Sequence, residues 1–376
     1  LVVFFYLFMS ILTILFLIPL ILYIVIISSY IFGFYKLKQC NIQNTIIPEE
    51  KKYLTLIIPF KNEEEHLNAL IESIKNQTLN TKYFEVILID DHSVDLSFDK
   101  LDSQINQLPN IKLIKQDISV SGKKQALIKG IKLADSDLIV TSDADCVHDS
   151  MWLETILHYY LSYNPKMIIA PVLMKGNSLF QKFQSLDYLS LTAATAGSAG
   201  IKHPIMCSGA NLSYRKDLFF EFSDAMNLNY QSGDDMFFLH SVKKYYRKEI
   251  HYLKSKTAGV YTEAEKSFNT FCKQRIRWSS KSTAYKDFDT IFSSLVVFGL
   301  NLLLIILLIL SFINAKFFFA LIIIYVSKLL VDSVLLIISA RYFNFLKLLR
   351  GLPLLSIIYP FYIISAAIAG FLTKSK

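Results

Sequence analysis

A chain of 376 residues is long enough for one large catalytic domain plus membrane segments. Hydrophobic residues make up 53% and charged residues only 19%, and the apolar excess gathers at the two ends. The net charge of +8 is what a positive-inside bias and attraction to anionic lipid headgroups produce, and nothing in its distribution suggests nucleic-acid binding. The four cysteines, Cys40, Cys146, Cys207 and Cys272, lack metal-ligand spacing and fit free thiols in a reducing compartment.

Leu1 to Ile31 contains no charged residue and exceeds the roughly 20 apolar residues that cross a bilayer. A signal peptide would have an apolar core of about 7–15 residues after a cationic segment. This run is longer and has no such segment, so residues 1–33 are expected to form an uncleaved anchor. Residues 290–373 are expected to add about three more helices. They are Ile291–Ile313, Phe317–Ala340 (interrupted by Lys328 and Asp332) and Leu352–Phe371, which either spans or lies in the interface. Lys36, Lys38, Lys51 and Lys52 after the first helix, and Arg341, Lys347 and Arg350 between the last two, belong on the cytoplasmic side. That orientation puts Lys374 and Lys376 outside, a mild conflict. The expectation is an integral protein of the inner (cytoplasmic) membrane with its middle domain in the cytoplasm.

Residues 51–289 read as a soluble α/β domain. Leu54–Pro59, Val86–Asp90, Ile111–Ile114 and Leu138–Ser142 are short β-rich apolar runs, the signature of buried strands. Glu63–Gln77 and Lys123–Ala134 between them have helical character. Alternating strands and helices predict a mostly parallel, doubly wound sheet, which binds ligands beyond the carboxyl ends of its strands. Asn62 and Glu63 follow the first strand, Asp90 and Asp91 end the second, and Asp143 and Asp145 follow the fourth. A single acid there would be an ordinary cap or turn residue. Acids at three strand ends repel one another unless a cation or donor groups lie between them, so they mark a site.

These residues resemble the family 2 glycosyltransferases, whose catalytic domain is the Rossmann-like GT-A fold. The resemblance spans about Leu54 to Ser280 and begins with IIPFKNEEEHL, which contains Pro59, Asn62 and Glu63. It implies that Glu63 lies near the nucleoside and that Asp90 and Asp91 contact its base and ribose. Lys123, in Gly122-Lys123-Lys124, would approach the nucleotide. Asp143-Ala-Asp145 matches the family's DxD motif, whose carboxylates hold a hard divalent cation, Mg2+ or Mn2+, on the donor diphosphate. Cys207-Ser-Gly-Ala-Asn211 resembles the segment beside the acceptor, with Gly209 allowing close backbone approach and Asn211 beside it. Gly233-Asp234-Asp235 resembles the family's acidic pair, with Asp235 the general base and Asp234 its support. Gln274-Arg-Ile-Arg277-Trp278 matches QxxRW, where Arg277 would bond the diphosphate and Trp278 would face a sugar ring. A basic amphipathic helix on the membrane surface would explain Arg277 and Trp278 but not their order after Gln274. One departure is Glu265, where many relatives have proline.

The resemblance therefore implies an inverting hexosyl- or N-acetylhexosaminyltransferase that uses a nucleotide-sugar donor, UDP-linked by expectation. Four helices leave little room for a polymer channel, which favours a lipid or lipid-linked acceptor. The alternative is a processive synthase of poly-N-acetylglucosamine or a similar β-glycan. A nucleotidyltransferase would have no role for QxxRW, and a non-catalytic membrane assembly protein would not need every acidic motif intact.

Overall fold

The computed structural model describes residues 2–40, 47, 51–106, 108–222 and 233–373, with side chains from residue 16 onward. The expected placement of Lys374 and Lys376 lies outside the described residues.

In chain order the elements begin with helix α1 (Val2–Lys36), followed by β1 (Leu54–Phe60), α2 (Leu67–Lys75), β2 (Phe84–Asp90), α3 (Ser97–Ile105), β3 (Ile111–Lys115), α4 (Lys123–Leu133) and β4 (Leu138–Thr141). Next come β5 (Val147–His148), α5 (Trp152–Tyr163), β6 (Met167–Ile169), β7 (Val172–Lys175), α6 (Leu179–Gly200), β8 (Leu212–Arg215), α7 (Lys216–Glu221) and α8 (Asp234–Tyr246). The chain closes with β9 (Ile250–Tyr252), β10 (Val260–Glu263), α9 (Phe268–Ser279), α10 (Phe288–Ser311), α11 (Ala315–Tyr342) and α12 (Leu352–Leu372).

These elements form two compact units. The α/β unit contains strands β1–β10 with α2–α5, α7 and α8. Its main sheet runs β3-β2-β1-β4-β8-β6-β9. The first four strands are mutually parallel, and β8 is antiparallel to both β4 and β6. Strands β1 and β2 are buried at every position, as unbroken apolar runs require when both sheet faces are covered. A smaller sheet, β5-β10-β7, lies apart from the main one.

The order 3-2-1-4 makes the β1/β4 boundary the point where the winding reverses, and there the two strands separate. Their last register pair is Ile57 with Thr141, while β1 continues beside β2 to Phe60. Pro59 sits past that last pair, where one edge of β1 is open, a position that tolerates a residue without an N–H. The helix expected from Glu63 starts later, at Leu67. The Glu63 and Glu64 N–H groups are held instead by Ser97 Oγ (2.9 Å) and Asp95 Oδ2 (3.3 Å), which keeps this stretch as a turn over the strand end.

The helical unit contains α1, α6 and α9–α12. Residues 178–201 and 265–289, inside the expected 51–289 domain, thus pack with the terminal helices. Among the described residues, four helical stretches are long and apolar enough to cross a membrane: Phe16–Lys36, Phe288–Ser311, Ala315–Tyr342 and Leu346–Leu372. Helix α6 is not among them. It begins with a capping box between Ser178 and Gln181 and packs against α1 through glycines. A Cβ on Gly33 would strike the Gly197 carbonyl, and one on Gly200 would strike that of Gly33.

Candidate active site

Acidic side chains gather at the carboxyl ends of β1, β2 and β4. Each is set by a specific backbone device. Asn62 adopts φ +55° and accepts the Val94 N–H at 2.9 Å, so the loop after β1 is tied to the loop after β2. Glu63 accepts from or shares a proton with His66 at 2.8 Å. Burial raises the Glu63 pKa; His66 opposes the shift, and the charges of Asp145 and Asp143 add to it. Acids from β1 and β4 therefore lie within electrostatic reach of each other.

Asp90 and Asp91 are both buried. Asp90 Oδ1 accepts the Ser93 N–H at 3.0 Å, and Asp91 Oδ1 accepts the Gly122 N–H at 2.8 Å. Gly122, at φ +107°, turns the chain into α4 directly after that bond, and Lys123 begins the helix. Lys123 Nζ pairs with Asp143 Oδ1. Partial desolvation opposes the charge of this half-exposed lysine, but Asp143, Asp234 and Asp235 outweigh it and hold the ammonium more firmly protonated than an ordinary lysine. This one cation is in reach of both acidic pairs. Lys124, buried beside Phe237 and lowering the Asp234 pKa, is a second cation that sequence reasoning left out of the site.

Asp145 accepts from Thr262 Oγ1 on β10 at 3.1 Å. Its pKa is raised, first by burial and then by the charge of Asp143. Asp234 is raised in the same way, by burial and then by Asp235, with Lys123 opposing. Asp234 and Asp235 open α8 after Gly233 at φ +91°, where the helix N-terminus favours negative charge. Asp235 accepts the Gly209 N–H through Oδ2 at 3.0 Å and the Met236 N–H through Oδ1 at 2.8 Å. A Cβ on Gly209 would meet Asp235 at 3.9 Å, an ordinary contact that crowds nothing. Asn211 has no such freedom. Its side chain is fully buried, accepts from Trp152 Nε1 (3.0 Å) and donates to the Pro171 and Ala258 carbonyls (both 2.8 Å). Its amide is spent on the protein.

Gln274, Arg277 and Trp278 lie on α9 of the helical unit. Gln274 Nε2 donates to Glu265 Oε1 at 3.1 Å. Gln184 brackets Glu265, accepting its N–H and donating to its carbonyl, both at 3.0 Å. Proline at 265 would lack the N–H that makes the first of these bonds, which accounts for the departure from the family pattern. Arg277 is exposed on the helix. Arg275, the other arginine in the motif, is buried; its Nη2 lies 3.0 Å from Asp187 Oδ2 and its guanidinium 4.4 Å from the Trp278 ring centre.

Among the described residues no three His, Cys, Asp or Glu side chains form a group able to hold a metal ion. The acids do fit a cation brought by a ligand. Asp145 is raised by burial and by the charge of Asp143, and Mg2+-type sites take one or two carboxylates and complete the shell with water and phosphate oxygens.

The fold is of the GT-A type. Residues 55–222 match the model of glycosyl transferase family 2, and the chain carries a domain of that family. Two relatives illustrate its range. The dolichol-phosphate mannosyltransferase of Pyrococcus furiosus is 34% identical over 95 residues, 25% of this chain and 26% of that protein. The inactive polypeptide N-acetylgalactosaminyltransferase-like protein 5 of Macaca fascicularis is 33% identical over 126 residues, 32% of this chain and 27% of that protein. The chain thus spans about a quarter of the length of these curated relatives. Among solved structures, a mannosyltransferase from Pyrobaculum calidifontis in complex with GDP-Man and Mn2+ shares the fold. Its TM-score is 0.55 at 13% identity, covering 96% of this chain and 98% of that one.

Proposed function

We propose that the protein is an inverting membrane glycosyltransferase that moves a sugar from a nucleotide diphosphate donor, UDP-linked by preference, to a lipid or lipid-linked acceptor. One observation carries the reading: a single lysine, Lys123, stands in reach of the Asp143/Asp145 pair and the Asp234/Asp235 pair, which brings a donor-side and an acceptor-side acid cluster together. Asp143 and Asp145 would hold a divalent cation, Mg2+ or Mn2+. Bound there with the diphosphate, the cation supplies neutralisation of the charge that develops on the leaving group.

The protein's own groups do the rest. Pro59, Asn62, Glu63, Asp90 and Asp91 shape the nucleoside end of the crevice. Asp235, steadied by two backbone N–H groups, takes the proton from the acceptor hydroxyl. The hydroxyl oxygen bonds to the anomeric carbon as the bond from that carbon to the diphosphate breaks, and the diphosphate departs with the electron pair. Lys123 offers a cationic donor to the departing phosphates.

The dolichol-phosphate relative supports an acceptor carried on a lipid. The inactive relative supports a non-catalytic reading. Full-length protein in native membranes, supplied with a panel of radiolabelled nucleotide sugars, separates these readings. Label partitioning into organic solvent from one donor is the expected result. Label in an insoluble polymer would support the processive reading, and no incorporation from any donor would support the non-catalytic one.

A further inference from the structure

His148 is 5% exposed and lies three residues past Asp145, on β5. Its ring stacks on Trp152 with centroids 4.0 Å apart and planes 20° from parallel. Both ring nitrogens are engaged: Nδ1 with Ser73 Oγ of α2 at 2.9 Å, and Nε2 with Ser142 Oγ at 2.8 Å. Each serine also contacts a carbonyl, Ser73 that of Leu70 (2.8 Å) and Ser142 that of Ala210 (3.0 Å).

Counting hydrogens assigns the direction of this chain. Burial pushes the His148 pKa down to about 3, so the ring is neutral near pH 7 and carries one N–H. Each serine has one hydroxyl hydrogen. Three hydrogens serve four contacts, so one contact lacks its proton. Leu70 O, inside α2, already receives the helical N–H four residues on. Ala210 lies outside the α-helices and the strand ladders. The contact without a proton is therefore Ser73 to Leu70. Ser73 donates to Nδ1, Nε2–H donates to Ser142, and Ser142 donates to the Ala210 carbonyl.

The two ends of this relay are the two halves of the site. Ser142 precedes Asp143. Ala210 follows Gly209, whose N–H holds Asp235 and whose carbonyl accepts from Thr141 Oγ1 at 2.7 Å. Trp152, beneath the imidazole, donates to Asn211. We infer that His148 is a positioning residue: its Nε2–H, acting through Ser142, holds the Asp143–Asp145 turn against the Gly209–Asn211 segment and so fixes the donor acids relative to Asp235. The inference rests on the reading above that Asp143 and Asp145 serve the donor and Asp235 the acceptor.

A purely space-filling histidine would leave the same density of contacts, so the test must separate hydrogen bonding from packing. In His148→Gln the amide nitrogen stands where Nε2 stood; in His148→Asn the amide stands where Nδ1 stood. Both lose the stack on Trp152, so both lower thermal stability. The detergent-solubilised full chain is titrated with UDP and with GDP in the presence of Mn2+. His148→Gln should bind close to wild type, whereas His148→Asn and Ser142→Ala should weaken Mn2+-dependent binding by about 10–100-fold, the usual effect of losing a group that orients a metal ligand. The His148→Asn/Ser142→Ala pair should bind no worse than Ser142→Ala alone. Nitrogen-15 spectra of the imidazole should place the proton on Nε2. Equal weakening in the Gln and Asn variants, or a proton on Nδ1, would overturn the inference. Wild-type protein that binds neither nucleotide with Mn2+ would overturn the donor-site reading itself, and the inference with it.

Discussion

Asp235 and Asp145 differ in what their surroundings ask of them. Asp235 receives two backbone N–H groups, which hold its carboxylate in place as a positioned base requires. Asp235→Asn should keep nucleotide affinity while turnover falls by about 10²–10⁴, the usual share of a positioned base; isothermal titration beside a transfer assay measures both. Near-normal turnover would move the base to Asp234. Asp145, by contrast, is raised by burial and by Asp143. A carboxyl raised on folding favours the folded state at low pH, and that contribution is lost as pH climbs from the ordinary aspartate value through the raised one. Asp145→Asn should therefore raise the melting temperature near neutral pH when no divalent cation is added. His148 and His251 act in the opposite sense. Burial holds them at about 3 and about 4, so their stabilisation is complete above about pH 6.5 and is lost as pH falls towards those values. Thermal melts from pH 4 to 8 should show the wild type falling below pH 6.5, and His148→Gln falling less steeply.

At the scale of elements, α1 and α6 meet where Gly33, Gly197 and Gly200 bring two backbones into contact. A methyl group at position 197 would strike the Tyr30 carbonyl, and backbone cannot move aside as a flexible side chain can. Gly197→Ala should cost about 1–3 kcal/mol, the range for overpacking, read as a lower midpoint of heat inactivation in detergent. The strands behave differently as a matter of legibility. β1, β2 and β4 were readable within two residues because strands buried on both faces are mostly apolar, and the edge strand β3, partly exposed, was still marked by its apolar residues. Asp143–Asp145 and Asp234–Asp235 were singled out by resemblance to family motifs, and the structure places the first pair just after β4 and the second at the start of α8. Helix α6 was not readable, because its hydroxyls bond their own helix and hide its polarity; Ser185, Thr192 and Thr195 each donate four residues back. The antiparallel β8 was equally hidden, since its place between β4 and β6 is a non-local pairing. The spending of Asn211 on Trp152 and of Arg275 on Asp187 depends on contacts far along the chain, which no spacing reveals.

Across the whole molecule, the apolar ends supply four stretches able to cross a membrane, and one of them carries Lys328 and Asp332. The pair is closed in the structure, Nζ to Oδ2 at 2.6 Å. Tyr23 of α1 donates to Asp332 Oδ1 at 2.8 Å, and the rings of Tyr23 and Tyr359 lie 5.4 and 5.1 Å from the ammonium. Groups from three helices thus satisfy both charges, as a structural pair would require. Asp332→Leu strands the lysine and should destabilise by about 3–5 kcal/mol. The Lys328→Leu/Asp332→Leu pair should cost less, and adding Tyr23→Phe should recover more by removing the orphaned hydroxyl. If the triple variant is stable yet has lost transfer, the pair lies on the acceptor's path instead. A cysteine replacing the exposed Asn106 reports orientation. With the catalytic domain in the cytoplasm it should resist impermeant thiol reagents in intact cells and react after lysis.

Asp143 and Asp145, just past the end of β4, are proposed to hold a divalent cation for transfer from a nucleotide sugar. The most direct measurement of this is sugar transfer by purified full-length protein with Mn2+ or with excess chelator, for the wild type and for the Asp143→Ala/Asp145→Ala variant. The account predicts transfer by the wild type that chelator abolishes and added Mn2+ restores, and none by the variant under either condition despite a normal melting profile. Full transfer by the variant in excess chelator would contradict it.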